Sequence, residues 1–128
     1  MPRVVHFEIH AADPERARLF YGHVFEWDPQ QWEDQPYWLI TTGPQGTPGI
    51  DGAMLPRRGP DPERSQPVNA FVCTIGVDDL DATIERAMDA GGAIAMPRTT
   101  VPGVGYLAYL NDTEGNIFGA LQPDDAAA

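Results

Sequence analysis

The sequence predicts an α+β fold built from two tandem βαβββ modules, on three observations. Val4 to Ala11 alternates strictly, with Val5, Phe7 and Ile9 on one strand face and His6, Glu8 and His10 on the other. Two later stretches carry helical apolar stripes, each entered through an aspartate. The pattern of elements then repeats, aligning His6 with Val72, Glu8 with Thr74, Ile9 with Ile75 and Asp13 with Asp79.

The first strand has a face suited to a core and a face that needs water, a polar cavity or a ligand. Helix one starts at Asp13, a good N-cap, followed by Pro14 at the first helical position and Glu15 near the positive helix end. Ala17, Phe20, Tyr21 and Val24 then form a stripe predicted to pack on a sheet. The helix is predicted to end near Phe25 with a different or mildly strained exit, because Glu26 stands where glycine is the easy residue. Short strands follow at Trp27 to Glu33, Tyr37 to Thr42 and Ile50 to Leu55, giving module one over residues 1–55.

Residues 56–67 are polar, proline-rich and aperiodic, a linker composition. Module two covers 68–123. Its first strand spans Val68 to Val77, and Asp78 and Asp79 offer N-caps. Leu80, Ile84, Ala87 and Met88 form a helical stripe closed by Gly91-Gly92. Strands are predicted at Ala93 to Pro97, Gly105 to Leu110 and Asn116 to Leu121, and the tail from 124 to 128 is expected to be disordered. The last strands share a short motif, Ile50-Asp-Gly-Ala-Met against Ile117-Phe-Gly-Ala-Leu.

Composition bounds the function classes. At 128 residues the chain is expected to be one domain with a real core. A net charge of -11 argues against nucleic acid and anionic membranes as partners. Neither a signal peptide nor a membrane span is expected, and the single Cys73 fits a reducing cytoplasm. Lysine is absent, which rules out side-chain Schiff-base chemistry.

The runs VVHFEI and DPERARLFYGHVF in module one, with VDDLDATIERAMDAGG and DTEGNIFGALQ in module two, resemble the vicinal oxygen chelate superfamily. That superfamily includes glyoxalase I, extradiol dioxygenases and bleomycin-resistance proteins, and the chain is similar to its small bacterial glyoxalase-like members. The resemblance implies that the modules pair edge to edge in an open, curled mixed sheet, a cup holding a ligand or metal. It also implies a homodimer. Metal-dependent members take four ligands from the first and last strands of the two modules. Carried over by position, these fall on His6, on Val72 (or Cys73 after a one-residue slip), on Gly119 and, through the repeat, on Gly52 with Asp51 beside it. Only His6 is a competent ligand, whereas zinc or nickel catalysis needs about three.

Spacing gives the strand no complete site of its own. Alternate residues lie about 6.6–6.8 Å apart, so His6 and Glu8 can share one small group, while His6 and His10 lie about 13 Å apart. The expected function is therefore binding of a small organic ligand in the cup without the usual metal or another cofactor. His6, Glu8, Trp38, Gly52, Val72, Tyr106 and Gly119 are the expected contacts, with the glycines giving room. His6 and Glu8 are either polar anchors satisfying each other or an acid–base pair. The alternative function is a lyase, isomerase or dioxygenase with an unusual divalent-metal site, or a metal-free acid–base enzyme using Glu8 and His6.

Overall fold

A computed structural model describes residues 2–63, 71–113 and 116–128. It contains eight strands and two helices, paired both parallel and antiparallel, so the α+β class is as the sequence predicts. The chain forms two compact units, His6–Phe71 and Met1–Val5 with Val72–Ala128. The first strand, β1 (Arg3–Ala11), contributes its start to the latter unit and its remainder to the former.

In the His6–Phe71 unit, α1 (Pro14–Phe25) follows β1, then come β2 (Gln30–Gln31), β3 (Trp38–Ile40) and β4 (Gly52–Pro56), hydrogen-bonded in the order β2-β3-β4-β1. β1 and β4 run parallel, with Phe7 opposite Gly52, Glu8 opposite Ala53 and Ile9 opposite Met54. β3 pairs antiparallel with β4, Leu39 lying opposite Ala53 and Ile40 opposite Gly52. One sheet face carries the core: Phe7, Ile9, Ala11, Ile40 and Met54, with Ala17, Tyr21, Trp27 and Trp38 packed against it.

Helix α1 begins and ends as its sequence dictates. The Asp13 carboxylate accepts a hydrogen bond from the Arg16 backbone N–H at 3.1 Å, and Glu26 closes the helix in the left-handed region at φ 62°. The apolar stripe behaves differently. Ala17 and Tyr21 reach the core, but Phe20 and Val24 remain about half exposed and no residue of α1 is fully buried. Strands β2 and β3 have two and three residues, so this unit has little sheet with which to cover a twelve-residue helix.

In the other unit, β5 (Val72–Gly76), α2 (Leu80–Asp89), β6 (Ala93–Val101), β7 (Gly105–Asn111) and β8 (Ile117–Pro123) follow one another. The start of β1 neighbours β5, and the remaining order is β5-β8-β7-β6. Asp79 caps α2 by accepting from the Ala82 N–H at 3.0 Å. Beyond the helix Gly91 adopts φ 97°, which a side chain would disfavour. Leu80, Ile84 and Ala87 pack with Val77, Ala108, Leu110 and Ala120, while Met88 stays half exposed. β6 runs on through Pro97, past the predicted end. It is an edge strand, and Pro97 falls in the register irregularity between Met96 and Thr99, where a missing N–H breaks no ladder bond.

The predicted start of module two at Val68–Ala70 and the end of the linker lie outside the described residues. The tail is ordered, against expectation. The Gly103 N–H donates to the Ala127 carbonyl and the Asp124 N–H to the Val104 carbonyl, both at 2.9 Å, and Ala127 is buried. Backbone groups after the last strand thus find partners in the β6–β7 turn, which a tail of two aspartates and three alanines does not announce.

Candidate functional site

The alternation of β1 sets the site. With Phe7, Ile9 and Ala11 in the core, His6, Glu8 and His10 stand on the opposite face. Glu8 sits in a row with Ala53 and Leu39, and is only 5% exposed. Its Oε2 lies 3.9 Å from His6 Nε2, beyond direct hydrogen-bond reach but within the span of a bridging group.

Tyr37 completes the cluster. Trp38 points to the core, so Tyr37, one residue earlier, shares the polar face, and its hydroxyl lies 3.3 Å from His6 Nε2. Burial, and secondly the Glu8 charge, push the phenol up to about 12, so it remains a protonated donor at neutral pH. Burial lowers the His6 pKa from its ordinary 6.5, and Glu8 only partly opposes this. The imidazole is therefore neutral near pH 7, and with its proton on Nδ1 it accepts from the Tyr37 hydroxyl at Nε2. His10 is also lowered, first by burial, with Glu8 opposing and Arg57 and Arg58 adding to the effect.

The other expected contacts are divided by the pleat. Trp38 packs against the core side, and Gly52 lies on that side too. A Cβ at Gly52 would stand 2.5 Å from the Phe7 carbonyl oxygen and 2.7 Å from two of its ring carbons. Matching the Ile-x-Gly-Ala motifs misplaces this strand by one residue, and one residue changes the face. Ala53, paired with Glu8, is the structural counterpart of Gly119, which pairs with Thr74.

In the Val72–Ala128 unit, Val72, Thr74, Gly119 and Tyr109 share the face away from α2. Tyr106 does not. It packs with the α2 cluster, donates from its hydroxyl to Asp124 Oδ2 at 3.3 Å, and lies under the Arg98 guanidinium at 4.4 Å. Nor does Gly119 open space as expected, since a Cβ there would stand 2.8 Å from Thr74 Oγ1 and 3.3 Å from Tyr109 Cε1. The space a family carboxylate would start from is filled by those two side chains.

Among the described residues the donors do not make up a catalytic metal set. The polar face of the His6–Phe71 unit offers His6, Glu8 and, at the far end of β1, His10, with Ala53 where a last-strand carboxylate belongs. Asp51 Oδ1 accepts from the Thr42 N–H at 2.8 Å instead. The matching face of the other unit offers Val72, Thr74 and Gly119. Among the described residues no group of three or more His, Cys, Asp or Glu side chains is placed to hold an ion.

A family model described as the glyoxalase/bleomycin resistance protein/dioxygenase superfamily matches residues 3–119. The chain belongs to this superfamily. A Mycobacterium tuberculosis protein named provisionally as a glyoxylase, CFP32, is 45% identical over 47 residues, 37% of this chain and 18% of that protein's length. Among solved structures, a hypothetical protein from Bacillus halodurans superposes with a TM-score of 0.68 at 12% identity, covering 99% of this chain and 98% of the other. A superfamily member from Vibrio splendidus gives 0.62 at 15%, covering 97% and 100%. Methylmalonyl-CoA epimerase from Mycobacterium tuberculosis gives 0.59 at 16%, covering 94% and 87%. At these identities the structural likeness shows the fold alone.

Proposed function

We propose that this superfamily member binds a small organic ligand on the polar face of the His6–Phe71 unit, without a metal held by the protein. The observation carrying this reading is the convergence of Tyr37, neutral His6 and buried Glu8 on one strand face. Leu39 adds a half-exposed apolar side chain in the Glu8–Ala53 row. A few convergent polar groups beside apolar surface are what a small-molecule site requires. Two experiments test it together. Elemental analysis of protein purified without added ions is expected to give far less than one metal per chain. A thermal-shift screen of aromatic metabolites and antibiotics is expected to yield a ligand whose stabilisation is lost in Tyr37→Phe and His6→Ala. Stoichiometric zinc, nickel, iron or manganese that disappears in His6→Ala would overturn the reading.

The burial of Glu8 beside a neutral imidazole favours one second reading, a metal-free proton-transfer enzyme with Glu8 as base. Structures of methylmalonyl-CoA epimerase share the fold, which makes methylmalonyl-CoA a sensible probe. Exchange of its α-hydrogen in deuterium oxide, abolished by Glu8→Gln, would favour this reading. No exchange with wild-type protein would remove that substrate. We also propose a homodimer in a cytoplasmic setting; light scattering on the eluting protein reads the dimer directly. No helix among the described residues is long and apolar enough to cross a membrane.

A further inference from the structure

Beyond the end of β1, within the His6–Phe71 unit, lies a cleft of about 510 Å³. Phe20 and Tyr21 supply aromatic surface to its lining, and Arg16 and Arg57 supply two guanidinium groups. Arg57 is the unusual member. Its side chain is half-buried, and Nη2 donates to the His10 carbonyl at 2.8 Å. Its Nε–H is sealed from solvent and has no acceptor. Arg18 and Arg98, by contrast, pair with Glu15 and Asp81, and Arg57 makes no such ion pair among the described residues. In a chain of net charge -11 with eight basic residues, a half-buried cation with no carboxylate partner among the described residues stands out. Desolvating a guanidinium is unfavourable unless an anion compensates.

We propose that this cleft is a binding site for a small organic carboxylate, its anionic end on Arg57 and Arg16 and its apolar body against Phe20 and Tyr21. Because Nε is sealed, a carboxylate can meet Arg57 only through its Nη groups, one of which also donates to His10. Asp13 and Asp61 also line the cleft and offset the two guanidinium charges, which disfavours a dianion such as phosphate more than a monocarboxylate. The half-exposed Phe20, left outside the core by the short sheet, gains a partner in the ligand. The inference does not depend on the role given to His6, Glu8 and Tyr37.

Sodium benzoate is the probe, titrated into ¹⁵N-labelled full-length protein at constant ionic strength. Saturable shifts are expected at the amides of Ala12, Arg16 and Arg57. Arg57→Gln should raise the dissociation constant at least tenfold. Arg57→Lys should raise it several-fold, because it keeps the charge but not the planar fork. Circular dichroism establishes that both variants remain folded. Absence of saturable shifts at these amides, or unchanged affinity in Arg57→Gln, would overturn the proposal. So would binding of inorganic phosphate in preference to benzoate. Finally, if Asp61→Asn destabilises the protein as much as Arg57→Gln and benzoate leaves the cleft amides unmoved, Asp61 is the counterion and the site does not exist.

Discussion

Replacing Gly52 with alanine tests the register on which the site depends. The added Cβ would lie 2.5 Å from the Phe7 carbonyl oxygen and 2.7 Å from Phe7 Cδ2 and Cε2. Ordinary contacts need roughly an ångström more. Phe7 cannot easily yield, because it is buried with its ring 5.5 Å from Phe71 and 6.2 Å from Trp27, and because one clash is with its backbone. Overpacking a core costs about 1–3 kcal/mol, and the backbone clash argues for the upper end. At about 3 kcal/mol, Tm should fall on the order of 10 °C for a domain of this size. Urea denaturation with an unchanged m value is the assay. A loss below about 0.5 kcal/mol, the range typical of open surface sites, would place Gly52 on the open face beside Glu8 and refute the register. It would also return that position to the ligand-facing set.

Three further outcomes follow from the same geometry. Tyr37→Phe removes the donor to His6 Nε2, so the His6 pKa should rise, read from its ring protons by NMR; a fall would mean that Nε2 carries the proton. His6 and His10 have lowered folded-state values, so between those values and 6.5 the unfolded chain binds more protons. Stability should therefore decline as pH falls below 6.5, less steeply in His6→Gln, and identical slopes in urea titrations would exclude His6 as a contributor. Glu26→Gly should stabilise the chain by about 1 kcal/mol by relieving the left-handed exit of α1, whereas Glu26→Ala should bring no gain.

Local chemistry was legible in the sequence. Period-two alternation placed Phe7 and Ile9 opposite His6 and Glu8, and the aspartate caps marked where both helices begin. These readings succeed because each depends on near neighbours. The β4 register was not legible, since Gly52 and Ala53 are equally acceptable residues and the choice is made by how β4 lies against β1. Trp38 and Tyr106 were misplaced for the same reason, because the parity of a strand does not say which face meets the core until one residue is seen there.

What the sequence by itself determined is the family fold, the polar face of β1 and the absence of a ligand-grade side chain at Val72 and Gly119. Tertiary structure alone decided that Tyr37, not Trp38, meets His6, and that Phe7, Thr74 and Tyr109 fill the space beside the glycines. It alone left Arg57 half-buried with no ion pair among the described residues. The physical reason is range. Caps and alternation are set by backbone sterics and nearby hydrogen bonds, whereas strand register and side-chain contact arise between segments about thirty to fifty residues apart, where many pairings satisfy the local rules.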